Sequence, residues 1–139
     1  MKIYNLTNHE MTSEQIDALQ KMFPYHELDV SPQGEIFNSM EDRMKWVDKW
    51  VEILSPKTNF YDSHSIEDVA VIGGDTAAFS LLLKKIFYDR GFSEGRIYEG
   101  ASTFDVHCRK KPTFVFADTD RIQDENNRFI FVFKRFLVF

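Results

Sequence analysis

Cysteine is almost absent from this chain. Cys108 stands alone, so no internal disulfide can form, which suits a reducing compartment. Proline and glycine are sparse, at 4 and 6 residues, too few for a linker-rich or low-complexity chain. There is no run of Lys or Arg, and the net charge is −5. A protein that grips long DNA or RNA usually carries a basic patch, so that partner class is not expected. No apolar stretch approaches the length of a membrane span. The opening Met1-Lys2-Ile3-Tyr4 reads as strand, not as the apolar core of a signal peptide. There is no internal repeat and no metal-ligand motif; His26, His64 and His107 have no partners at ligand spacing. The expectation is a cytoplasmic protein that needs no cofactor and meets neither a membrane nor a long nucleic acid.

What is present suits a single α/β domain over residues 1–139. Apolar residues make up 43% of the 139, and 14 of them are Phe, which points to an aromatic core or interface. Ile3-Tyr4-Asn5-Leu6 reads as a first strand. Thr12-Ser13-Glu14-Gln15 is a capping box for a helix through Ile16, Leu19 and Phe23 that stops at Pro24. Glu27-Leu28-Asp29-Val30 is a second strand. A longer helix runs from Asn38 or Ser39 to Leu54, with Met40, Met44, Val47, Val51 and Leu54 along one face. Trp46 and Trp50 either widen that packing stripe or form a partner surface.

Val69-Ala70-Val71-Ile72 has the continuous apolar character of a parallel strand covered on both faces. Gly73-Gly74 breaks it, and a helix follows from Thr76 to Arg90 with Gly91 as its stop. Arg96-Ile97-Tyr98-Glu99 is a further strand, with Gly100-Ala101-Ser102-Thr103 at its tip. This alternation predicts a Rossmann-like, mostly parallel sheet flanked by helices. Thr113–Ala117 and Arg128–Phe133 then form a C-terminal antiparallel β-hairpin. The second run is apolar at nearly every position, so it belongs inside the sheet or at a subunit contact, not at a bare edge.

In an open parallel sheet, ligands bind beyond the carboxyl ends of the strands. Those ends carry Thr7-Asn8-His9, Gly73-Gly74-Asp75-Thr76 and Ser102-Thr103, three segments directed at one rim. The helix that opens at Asp75 or Thr76 offers amides and a positive dipole end to an anion such as phosphate. A tight turn with Asp75 as N-cap is the competing reading. The turn is neither a G-x-G-x-x-G nor a P-loop motif. His9 follows the first strand, and imidazoles titrate near neutral pH, so it is either an acid–base group or a surface histidine. Cys108 beside Arg109, Lys110 and Lys111 is an activated thiol or a bystander. Asp118, Asp120, Asp124 and Glu125 read as a solvated turn. Lys134 and Arg135 face the rim or edge the sheet.

The opening Tyr4-Asn5-Leu6-Thr7-Asn8-His9 with Thr12-Ser13-Glu14-Gln15 resembles the start of small stand-alone proteins of type III CRISPR systems and their phage-encoded relatives. Val71-Ile72-Gly73-Gly74, the segment Tyr98 to Thr103, and the closing Phe131-Val132-Phe133-Lys134-Arg135-Phe136 extend the likeness along nearly the whole chain. Such proteins resemble the CARF domain, the CRISPR-associated Rossmann fold. The resemblance implies binding of cyclic oligoadenylate, cyclic tetra-adenylate foremost, by a homodimer. In ring nucleases it implies metal-independent cleavage by the 2′-OH, giving 2′,3′-cyclic phosphate ends and switching off the antiviral signal. Carried onto this chain, His9 is the catalytic candidate. Thr7, Asn8, Gly73, Gly74, Asp75, Thr76, Ser102, Thr103 and Arg135 are the ligand contacts. One departure stands out: Ser102-Thr103 is followed by Phe104-Asp105, where relatives often place a basic residue and Glu. That bears on cleavage more than on binding. The alternatives are a non-catalytic binder, acting as sensor or phage sponge, and a protein-interaction module with no ligand.

Overall fold

The central strand of the sheet is the apolar run Val69–Ile72, buried at all four positions, as its lack of polar residues requires. The computed structural model describes residues 1–59, 67–89, 107–109 and 111–139. Within them lie β1 (Lys2–Asn5), α1 (Ser13–Met22), β2 (Glu27–Pro32), α2 (Met40–Leu54), β3 (Lys57–Asn59) and β4 (Val69–Ile72). Then come α3 (Thr76–Lys84) with a π-helical turn at Lys85–Asp89, β5 (His107–Arg109), β6 (Thr113–Gln123) and β7 (Phe129–Val138). The fold is α/β. A five-stranded sheet in the order β2-β1-β4-β6-β7 is parallel except for the last pair, and a small antiparallel sheet joins β3 to β5. The strand expected at Arg96–Glu99, its tip Ser102-Thr103 and the stop at Gly91 lie outside the described residues. The place after α3 in the sheet belongs to β6, which pairs in parallel with β4 over Thr113–Phe116.

The chain folds as two compact units. The first comprises Met1–Glu35, Val69–Gly74 and Thr113–Phe139; the second comprises Ile36–Asp68 and Asp75–Pro112. The first holds the five-stranded sheet and α1. Ile3, Leu19, Val69, Val71, Val115 and Phe136 form its buried cluster, with Phe23 and Phe133 packed against it. Helix α1 opens with the expected capping box: the Gln15 amide donates to Thr12 Oγ1 at 3.2 Å, and the Thr12 amide to Gln15 Oε1 at 3.0 Å.

In the second unit α2 starts from Ser39, whose hydroxyl accepts from the Asp42 amide. Its buried stripe is Trp46, Val47, Trp50, Val51 and Leu54, while Met40 and Met44 are exposed. The expected face is therefore rotated toward the indoles. Trp46 meets Phe37 and Phe79 edge-on at 5.5 and 5.7 Å, and large aromatic area is what burial rewards most. A partner surface built on Trp46 and Trp50 is excluded by that burial.

The hairpin is longer than its sequence pattern suggests. Strand β6 pairs with β7 from Val115–Val138 to Gln123–Phe129, with a bulge between Asp118 and Thr119. Asp124 shapes the turn, accepting from the amides of Asn126 and Arg128, and Asn127 takes φ 59°, a left-handed conformation that Asn tolerates. Of the two places expected for the apolar run, inside the sheet or at a subunit contact, the first is not found: β7 is an edge strand. Beyond the reach of β4, the hairpin is a two-stranded ribbon whose side chains no longer share a full sheet.

Candidate functional site

A cavity of about 410 Å³ opens in the first unit, at the carboxyl ends of β1, β4 and β6. Its rim includes Thr7, His9, Gly73 and Gly74, so two of the three expected segments do converge. The first is positioned by Asn5, which is fully buried. Its amide nitrogen donates to the carbonyls of His9 at 2.8 Å and Val30 at 3.2 Å, and its oxygen accepts from the Thr7 amide at 3.1 Å. The same oxygen accepts from the Thr7 hydroxyl at 2.6 Å. One side chain thus satisfies the backbone of a sharp loop that would otherwise bury orphan polar groups. The His9 amide donates to Thr7 Oγ1 at 3.3 Å.

Gly34 supports this loop from beneath. Its amide donates to the Thr7 carbonyl at 2.9 Å. A β-carbon there would stand 2.6 Å from the Thr7 carbonyl carbon, so only glycine fits. Across the rim, Gly74 holds φ 105°, a conformation L side chains rarely adopt, and a β-carbon on it would lie 3.7 Å from Asn8 Oδ1. The Gly73-Gly74 turn is therefore a backbone wall kept clear of side chains.

The remaining walls come from residues that local sequence patterns do not mark as ligand contacts. Met11, Ile72, Phe116 and Phe136 supply apolar surface; Thr12, Gln15 and Thr119 supply polar edges. Among the described residues that line it there is no Lys or Arg, and the ionisable side chains are those of His9 and Glu10. Apolar and aromatic walls with hydrogen-bonding edges and one carboxylate, Glu10, suit a heteroaromatic base, and the volume suits one nucleoside-sized group.

Other expected contacts sit elsewhere. The Asp75 carboxylate is the N-cap of α3, accepting from the Ala78 amide at 2.8 Å. It also takes a two-pronged contact from Arg43, whose Nε and Nη2 each approach to 3.0 Å. These bonds, Arg43 first and the Ala78 amide second, hold the Asp75 carboxyl below the usual carboxylate range. An anion at this helix start would meet a carboxylate already in place. Thr76 is an exposed residue in the first turn of α3. Arg135 is 69% exposed, donates to Asp118 at 3.1 Å and is not a cavity wall. Asn8 is exposed and is not among the cavity walls. Ser102 and Thr103 lie outside the described residues. Among the described residues, no cluster of His, Cys, Asp or Glu could hold a metal ion, and no helix is long and apolar enough to cross a membrane.

The Arg43–Asp75 pair gives a signed prediction. A depressed carboxyl contributes stability that is present above its unfolded pKa of about 3.9 and is lost as pH falls through the lower folded value. Arg43→Met should raise the Asp75 pKa in a carboxyl-resolved NMR titration. It should also lower the melting temperature at pH 7, with the gap to the parent closing below about pH 4. An unchanged Asp75 titration in the variant would show that the pair does not form in solution.

No protein-family model, curated protein or solved structure matches the chain. The class the fold and cavity define is thus an α/β domain with a strand-end pocket, and nothing in those comparisons narrows it.

Proposed function

We propose that the chain binds cyclic oligoadenylate through this cavity and cleaves it without a metal. The observation that carries the reading is the cavity at the carboxyl ends of the parallel strands, with Thr7, His9, Gly73 and Gly74 on its rim. The apolar and aromatic walls take one adenine, with Thr12, Gln15 and Thr119 within the wall to read its edge. A ring of several nucleotides exceeds about 410 Å³, so the rest of it extends outside and spans a second copy of the chain. The likeness of the strand tips to CARF-type ring nucleases supports the same ligand.

In the cleavage step the ribose 2′-oxygen attacks the adjacent phosphorus and the bond to the next 5′-oxygen breaks. The 2′-OH loses its proton and the leaving 5′-oxygen gains one. His9 moves one of these protons, and the cavity holds the base so that attack is in line. A second reading, retention of the intact ring, draws support from the lack of Lys or Arg along the walls, since cleavage develops charge on the phosphate.

One assay separates them. The protein is incubated with cyclic tri-, tetra- and hexa-adenylate in EDTA, and the mixtures are chromatographed. Linear products ending in 2′,3′-cyclic phosphate are expected, slowed by about 100-fold or more in His9→Ala. Intact, protein-retained rings would establish binding alone. No retention and no product with any ring would end both readings.

A further inference from the structure

We propose that one face of the β6–β7 ribbon, continuous with the cavity wall, is a base-stacking strip for a short single-stranded oligonucleotide. One base enters the cavity, and the bases that follow stack on Phe131 and Phe129. The inference uses the cavity's fit to one nucleoside but needs no closed ring, so it goes beyond the reading above.

Four Phe residues form a single row. Phe136 lines the cavity opposite Ala117, and its ring meets that of Phe133 at 5.0 Å across the bulge. Phe133 is paired with Thr119, a further wall residue, and packs against the core. Strand alternation carries the row outward to Phe131 and Phe129 in steps of about 6.8 Å. These two rings are 72% and 53% exposed. Beside them on β6 stand Arg121 and Gln123, paired with Phe131 and Phe129. The Arg121 guanidinium lies over the Phe129 ring, 3.8 Å from its centre.

The charges on this face select the occupant. By register and alternation, none of its positions on the ribbon holds a carboxylate. Asp118 and Asp120 stand on the opposite face, paired with Arg135 at 3.1 Å and Lys134 at 3.3 Å. Asp124 accepts from the turn amides, and Glu125 is exposed in the turn. Arg121, and Arg128 next to Phe129, form no ion pair with a described residue. An aromatic row flanked by arginines is the arrangement on which unpaired bases stack while their phosphates pass the cations. An apolar protein or lipid surface would be met as well by Ile122, Ile130 and Val132 on the other face, and would not need the row to start at a cavity. The cavity agrees: with Glu10 and no Lys or Arg among its described walls, it takes a base and leaves phosphates outside. The net charge of −5 keeps the strand short, because affinity here comes from stacking and not from phosphate contacts.

The test is fluorescence anisotropy of labelled hexadeoxyadenylate titrated with the full chain. Without a 2′-OH this strand cannot be consumed by the cleavage proposed above. Binding is expected with a Kd between about 1 and 100 µM, the range of transient contacts. The slope of log affinity against log salt should be no steeper than about −1.5, as for two phosphates at about −0.7 each. Phe131→Leu keeps apolar surface but removes the ring, and should weaken binding about 10-fold. Phe131→Trp should keep the parent affinity. The side chain is exposed, so both variants should retain the parent's circular dichroism and melting. No binding up to about 100 µM overturns the proposal. So does a Leu variant that binds like the parent, or a blunt DNA duplex held as tightly as the strand. If the strand binds while no cyclic adenylate is retained, the ring reading fails and this one stands. If rings are retained and the strand is not, this one alone fails.

Discussion

Gly34→Ala is expected to cost about 3 kcal/mol of folding free energy, at the upper end of what overpacking costs. The added β-carbon would stand 2.6 Å from the Thr7 carbonyl carbon, 2.7 Å from the Asn8 nitrogen and 2.8 Å from the Leu6 oxygen. All three are backbone atoms, so no side-chain rotation can make room. The loop cannot simply lift away either, because the Gly34 amide is bonded to the Thr7 carbonyl and the Gln33 amide to the Asn5 carbonyl, each at 2.9 Å. Urea denaturation measures the loss. A loss of unfolding free energy below about 0.5 kcal/mol, the range of ordinary surface changes, would mean the two backbones are not this close. Because the loop carries Thr7 and His9, the same variant should lose whatever ligand the cavity holds.

Asn5→Ala is the second large effect, again about 3 kcal/mol, because buried polar groups left without partners cost far more than a hydrogen bond contributes. The Thr7 amide and the Val30 carbonyl lose this partner, and the His9 carbonyl keeps only the Thr7 hydroxyl at 3.1 Å. The loop itself should show it: amide hydrogen exchange at Thr7 and His9 should accelerate well beyond the global change in stability. A loss below about 1 kcal/mol, with exchange at Thr7 and His9 unaltered, would assign the loop's shape to Gly34 and the strand bonds alone. The two substitutions touch one loop, so their combined effect should fall short of the sum.

These two residues also mark where sequence reading stops. The capping box at Thr12 and Gln15, the buried run Val69–Ile72 and the glycine turn after it were legible because each is a local device, complete within a few residues. Asn5 and Gly34 act across the chain, on Val30 and on Thr7, and an Asn at the end of a strand carries no local sign of that duty. The aromatic walls were hidden for the same reason: Phe116 and Phe136 read as ordinary strand residues until β6 and β7 align Ala117 with Phe136 beside the strand ends. Asp75 was legible as a cap but not as the partner of Arg43, which stands on another helix. Most of the α2 stripe was legible, since Val47, Val51 and Leu54 are buried along with Trp46 and Trp50; Met40 and Met44 fall outside it because Met and Trp both fit a helical apolar face, and only packing against Phe37 and Phe79 decides which is inside. Arg135 was read as facing the rim or edging the sheet and became a ligand contact only through the family resemblance; opposite it in the ladder stands Asp118.

The strand order has a consequence for how the molecule comes into being. Ile3 aligns with Val69, and Val69 aligns with Thr113, so the middle of the sheet is stitched from segments far apart in the chain. Long closures must be made before such pairings reward them, which places the fold among those that form slowly. On a ribosome, β1 and β2 emerge together, and β4 joins β1 later with its other side uncovered. Until residues 113–123 arrive, the most apolar strand of the protein presents an open edge to every neighbouring nascent chain. That interval, more than any weakness of the finished structure, is when this sequence is most exposed to mispairing.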